Sequence, residues 1–318
     1  MHPVVIILAG VGTFFTGLAL LVAAVVARRI GSRRADRAAL WLVILAALAL
    51  VASATPLPPW AWPALALPVA LMPLAPPTPR GRAAVAAASV AAILAVGTSE
   101  ALQARLPVLR PAPERRVAII GDSLTAGHGD DDRAIAWPAL LEGRHGVAVE
   151  NLARAGATAA TALGEVLRRP PEAPVVLVEI GGNDLLGGTA PEDFERALDA
   201  LLGALARPGR QVAMFELPLP PFHERYGRIQ RRVAARHGVA LIPEGVLLEV
   251  LGGAEATVDS IHLSQAGHER IAEIVWRFLG PALPAAREAA PLEGGSGLVG
   301  PRPTALSSAR SPTPRPRP

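Results

Sequence analysis

Four short polar clusters, far apart along this chain, carry side chains that could together move an acyl group. The first is Gly121-Asp122-Ser123-Leu124, which follows the apolar, mostly β-branched run Val117–Ile120. A serine just past the end of a buried parallel strand faces a cleft, because the next helix directs its free N–H groups and positive dipole end there. Gly121 allows the chain to turn sharply at that point. Ser123 is therefore a candidate nucleophile, provided that a base, an orienter for the base and oxyanion donors accompany it. On its own, Gly-Asp-Ser also makes ordinary Asx turns.

The other clusters offer those partners. Asn151–Thr158 contains Gly156, whose backbone N–H has no side chain in its way and suits an oxyanion donor. Val175–Asp184 reads VVLVEIGGND: Gly181 and Gly182 permit close approach of a substrate, and the Asn183 amide can donate to developing negative charge. The same Asn-Asp pair also reads as a helix cap. Asp259-Ser-Ile-His262 places a carboxylate three residues ahead of an imidazole. Asp259 could fix the His262 tautomer so that Nε2 faces the serine, and the chain order Ser, Asp, His is one of those by which such triads are assembled.

These clusters need a scaffold that brings strand ends to one edge. Short apolar runs at Val117–Ile120, Val147–Asn151, Val175–Ile180, Gln211–Leu217 and Val239–Ile242 read as strands. Amphipathic stretches at Ile135–Arg144, Thr158–Arg168, Pro191–Ala206, Phe222–His237 and Ser264–Leu279 read as the intervening helices. That alternation predicts a three-layer, doubly wound α/β domain with a five-stranded parallel sheet over residues 117–280. After the fourth strand, Leu217-Pro-Leu-Pro-Pro221 with Phe222 and Tyr226 could wall an acyl pocket or simply pack. His268, on the last helix, is expected at the surface.

Ahead of this domain the chain is far more apolar, and 51% of all 318 residues are hydrophobic. Residues 1–102 read as a membrane region of four transmembrane helices. The first covers the uncharged stretch to Ala27, the second about Ala39–Ala54, the third Trp60 to about Leu74, and the fourth Ala83–Ser99. Arg28, Arg29, Arg33, Arg34 and Arg37 follow the first span, and Arg80 and Arg82 precede the fourth. By the positive-inside rule both loops are cytoplasmic, which puts the catalytic domain on the extracytoplasmic side of a bacterial-type inner membrane. Pro63, Pro68 and Pro73 make the third span the least secure. Residues 103–116 read as a Pro/Arg-rich linker and 281–318 as a disordered tail.

Composition removes other classes. All 31 basic residues are arginine and the net charge is only +4, with no basic face interleaved with aromatics, so nucleic acid is not an expected partner. There is no cysteine, which excludes disulfides, thiol nucleophiles and Cys-ligated metals. Asp130-Asp-Asp132 lacks the spaced ligands of a calcium loop. No metal and no organic cofactor is expected.

GDSL at Gly121–Leu124, Gly156 within NLARAGAT, GGND at Gly181–Asp184 and DSIH at Asp259–His262 resemble, in order and spacing, the four signature blocks of the SGNH (GDSL) hydrolases. AWPALL at Ala136–Leu141 and VLVEIGGNDLL look like the bacterial thioesterase I/lysophospholipase/arylesterase group. The resemblance covers about half the chain and leaves the membrane region outside. It implies a flavodoxin-like sheet, Ser123 as nucleophile, His262 as base and Asp259 as its partner. The oxyanion hole would be Ser123 N–H, Gly156 N–H and Asn183 Nδ2, and Asp122, Leu124, Gly182, Leu217 and Pro218 would contact substrate. The expected substrate is a small acyl ester or a lipid, with the bilayer as the other partner and oligomeric state open. Two further readings remain at this level: acyl transfer or deacetylation on cell-envelope glycans, and a noncatalytic membrane-anchored binding module.

Overall fold

The computed structural model describes residues 11–71, 74, 78–127, 134–253, 255–258 and 262–285. Two long helices, α1 (Val11–Ile30) and α2 (Arg33–Ala52), form a hairpin. Ser32 caps α2, its hydroxyl accepting from Ala35 N at 3.2 Å. Helix α3 (Ala61–Leu71) follows, and then α4 (Pro79–Gln103), which Thr78 caps and Pro79 opens. Pro suits the first turn because its missing N–H is not needed there.

Three of these helices, α1, α2 and α4, are long and apolar enough to cross a membrane. The expected third span is instead the 11-residue helix α3, which at 1.5 Å per residue covers only about half a hydrocarbon core. Pro68 lies inside it, and the chain before it, Ser53–Leu57, is a buried turn without helical structure. The outward side of α2 exposes Leu40, Trp41, Ile44, Leu45 and Leu48, a contiguous apolar surface suited to lipid rather than water.

The bundle has two distinct ends. A Cβ on Gly17 would meet Leu50 of α2, and one on Gly97 would meet Leu18. The start of α1 and the ends of α2 and α4 therefore lie together. At the opposite end, the position of a Cβ on Gly31 is 3.3 Å from Arg82 Nη1. The arginines at the adjoining ends of α1 and α2 thus share an end with those that open α4.

The rest of the described chain is a parallel sheet between two helical layers. Its strands are β1 (Arg116–Gly121), β2 (Ala148–Asn151), β3 (Val175–Glu179), β4 (Gln211–Phe215) and β5 (Ala240–Ile242), in the order β2-β1-β3-β4-β5. Between β1 and β2 come a single-turn helix α5 (Ser123–Ala126) and α6 (Trp137–His145). Then follow α7 (Ala159–Arg168), α8 (Gly182–Leu186), α9 (Pro191–Leu205), α10 (Glu224–His237), α11 (Glu244–Leu251) and α12 (Gln265–Leu279). The pleat sends alternate residues to opposite faces. Ala118, Ile120, Val176, Val178 and Met214 pack under α7, α9 and α10. Val117, Ile119, Val175, Leu177 and Phe215 pack under α6, α11 and α12. The inner strands β1 and β3 are buried on both faces, which is why they read as apolar runs, whereas the edge strand β2 is half-exposed.

Residues 104–115 lie along the domain as a strap. Gln211 holds the Arg110 backbone from both sides, accepting from Arg110 N at 2.7 Å and donating to Arg110 O at 2.8 Å. Ala112 N donates to Ala282 O at 2.7 Å. The segment expected to begin the tail therefore starts as packed chain, with Ala282 and Leu283 in the core. The remainder of the expected tail, 286–318, lies outside the described residues.

Candidate active site

The sheet order reverses between β1 and β3, and three of the four polar clusters meet at the carboxyl edge there, where open α/β sheets take their ligands. Strand β1 ends at Gly121 against the first turn of α5. A Cβ on Gly121 would fall 2.3 Å from Thr125 Oγ1 and 2.4 Å from Thr125 Cβ. Only a residue without a side chain lets that helix fold back so closely. Asp122 caps the turn, one carboxylate oxygen accepting from Leu124 N at 2.9 Å. Ser123 becomes the first residue of α5 and is partly exposed, while Asp122 and Thr125 are buried.

Strand β3 places its end beside this turn, Glu179 being in register with Gly121. The chain leaves through Gly181 at φ +120°, where a Cβ would lie 2.8 Å from Leu217 Cδ1 and 3.2 Å from Phe194 Cζ. In α8, Asn183 Nδ2 donates to Asp122 Oδ2 and to Ala157 O, both at 3.1 Å. The adjacent Asp184 accepts from Ala159 N at 2.9 Å, fastening the Gly156 loop to α8. Gly156 itself is exposed, with φ +75°. Three of the four clusters are thus joined by direct hydrogen bonds centred on Asp122 and Asp184.

His262 lies beside an isolated antiparallel bridge between Thr257 and Leu263. Val258 N donates to His262 O and Ser264 N to Ala256 O, both at 2.9 Å, and Ser264 caps α12 through Gly267 N. The His262 ring lies within electrostatic reach of the Asp122 carboxylate. Asp259, with the expected Asp259–His262 pairing, lies outside the described residues, as does Asp130–Asp132. Of the expected substrate contacts, Leu124 and Pro218 are partly exposed, a Cβ on Gly182 would sit 3.2 Å from Asp122 Oδ2, and Leu217 covers Gly181.

Beneath the serine turn is a carboxylate of the third cluster that was given no role above. Glu179 Oε2 accepts from Thr125 Oγ1 at 2.9 Å and from Asp122 N at 3.3 Å. Burial, followed by the negative charge of Asp122, pushes Glu179 well above the usual carboxylate range. Burial also raises Asp122, against the opposing pull of Leu124 N–H. Burial and their mutual repulsion disfavour ionising both carboxyls at once. The sequence signal was present: Glu179 is the one charged residue in the run VVLVEI.

His268 departs from expectation. It is buried, at 2% exposure, and burial lowers its pKa. Its position continues the apolar face of α12 through Ile271, Ala272 and Val275, so helical spacing outweighs the polar neighbours. Among the described residues, no three His, Asp or Glu side chains converge as metal ligands would.

Residues 119–270 match the GDSL-like Lipase/Acylhydrolase family. The chain is 31% identical over 186 residues to Esterase TesA of Pseudomonas aeruginosa, covering 54% of this chain and 91% of that protein. It is 31% identical over 147 residues to the thioesterase 1/protease 1/lysophospholipase L1 of Escherichia coli, covering 43% of this chain and 70% of that one. Among solved structures, that of TesA aligns with a TM-score of 0.45 at 31% identity, over 53% of this chain and 99% of that one. The SGNH-hydrolase family esterase AlinE4 aligns with a TM-score of 0.41 at 27% identity, over 55% and 99%. With a relative 31% identical of which 91% is covered, and with its serine, glycine, asparagine and histidine blocks in order along the sequence, the chain belongs to the GDSL-like lipase/acylhydrolase family.

Proposed function

We propose that the chain is a membrane-anchored serine esterase that acts on acyl esters through an acyl-enzyme. The observation that carries this reading is the junction at Asp122: Ser123 follows it at the mouth of the turn, Asn183 is bonded to it, and His262 lies within electrostatic reach of it. In the proposed reaction His262 takes the Ser123 proton as the oxygen attacks the ester carbonyl, and Asp259 orients the imidazole. Ser123 N–H, Gly156 N–H and Asn183 Nδ2 then stabilise the tetrahedral oxyanion. Both Asn183 amide hydrogens are already engaged, by Asp122 and Ala157 O, so one of these bonds is exchanged for the oxyanion as it forms. His262 next gives its proton to the leaving alcohol. Water attacks the acyl-enzyme by the same steps in reverse.

The bundle supports the extracytoplasmic side for this chemistry. Arg28 to Arg37 and Arg80 to Arg82 gather at one end, and the positive-inside rule assigns that end to the cytoplasm. The α/β domain contacts the other end, through Glu100 and Pro56. Ser123→Ala in the full-length protein is expected to abolish p-nitrophenyl butyrate hydrolysis and fluorophosphonate labelling. Unchanged turnover would place the chemistry elsewhere. Protease cleavage of the domain in intact spheroplasts tests the side.

A further inference from the structure

The bundle and the hydrolase domain share a buried seam next to the ester site. Arg231 of α10 donates through Nη1 and Nη2 to both oxygens of Glu100, at 2.8 and 2.7 Å, and through Nε to Glu216 Oε1 at 2.6 Å. Nη1 also lies 3.4 Å from Pro56 O. Both carboxylates are almost fully enclosed, and Arg231 is only 13% exposed. One turn earlier on α10, Gly227 leaves room for Pro56 and Leu219 together: a Cβ there would lie 2.8 Å from each. Ala54 belongs to the same core as Leu217, Leu219 and Tyr226.

This seam is continuous with the site. Gln230, next to Arg231, accepts from Leu217 N at 3.0 Å and donates to Phe215 O. Leu217 in turn lies over Gly181, which leads into α8 and Asn183. A buried bidentate pair fixes both position and angle, and it persists only where the surroundings hold it. The loop Leu217–Phe222 is therefore gripped between α10 and the membrane bundle, with one end against the oxyanion side of the cleft.

We propose that Glu100 and the Ser53–Leu57 turn are positioning groups for the ester site. Acting through Arg231 and Leu219, they seat the Leu217–Phe222 loop as the wall that receives the acyl chain, so the N-terminal helices set acyl preference as well as anchoring the domain. The proposal rests on the esterase reading of Ser123.

The test uses the full-length protein in detergent micelles, with active sites counted by fluorophosphonate titration. Glu100→Gln removes the charge of the pair, and Gly227→Ala pushes Pro56 and Leu219 apart without touching any charge. Both variants are expected to keep kcat/KM for p-nitrophenyl acetate within about twofold of the parent while KM for the decanoate rises about tenfold. Equal factors on the two esters, or an unchanged decanoate KM in the titrated enzymes, would overturn the proposal. Failure of the parent to react with the fluorophosphonate would instead strike the esterase reading, so the two failures are distinguishable.

Discussion

Glu244 opens α11 and is buried beside the Arg231 seam, 5% exposed. Burial, then the charges of Glu216 and Glu100, push its pKa from 4.5 to about 8, with Arg231 pulling the other way. A carboxyl raised in this way stabilises the fold while the folded state keeps its proton. The contribution is complete below pH 4.5, shrinks as the unfolded chain ionises, and is lost as pH rises through about 8. At about 1.4 kcal/mol per pH unit, the span from 4.5 to about 8 comes to about 5 kcal/mol at full loss. Glu244→Gln has nearly the same shape and does not titrate. It is expected to match the parent at pH 4.5 and to exceed it by several kcal/mol at pH 9, an advantage of about 10 °C in melting temperature for a domain of this size. Tryptophan-fluorescence melts of both proteins in detergent, from pH 4.5 to 9, measure the difference directly. Asp122 and Glu179 are also raised, but they are common to both proteins and cancel. Melting curves that stay parallel across the range would refute the buried, protonated state of Glu244.

Two substitutions probe the serine turn. Gly121→Ala forces α5 off the strand end, and displacing a nucleophile by about 1 Å is expected to cost about a hundredfold in kcat, read with p-nitrophenyl butyrate; full activity would contradict the tight turn. Glu179→Gln keeps an acceptor for Thr125 Oγ1 and Asp122 N and a donor toward Asp122, so activity is expected within about threefold, whereas Glu179→Ala leaves those buried donors unpaired at about 1–3 kcal/mol each. Chemical denaturation of the two variants separates these outcomes, and equal losses would exclude a protonated Glu179.

Much of the α/β domain is legible in the sequence because double-sided burial leaves its mark. Val117–Ile120 and Val175–Val178 are uninterrupted apolar runs, and the turn glycines after them mark the sheet edge. Helix α11 was not legible: PEGVLLEVLGG is short and apolar enough to read as strand or helix. The third membrane pass misled because composition counts apolar residues, whereas Pro68 and the buried Ser53–Leu57 turn decide how many are helical. Partners distant in sequence were invisible in principle. Nothing in Glu100 or Arg231, 131 residues apart, announces their pairing, and only the folded bundle brings them together.

The strap at 104–115 has a consequence for what the enzyme can touch. As a free leash, a segment of that length would let the domain wander about 20 Å. Clasped by Gln211 and Ala282, it would, in the proposed membrane-anchored esterase, give the mouth of the site one height and one tilt above the lipid. Molecules at another depth would then be out of range, and encounter would be governed by sideways traffic at a single level rather than by a swinging arm.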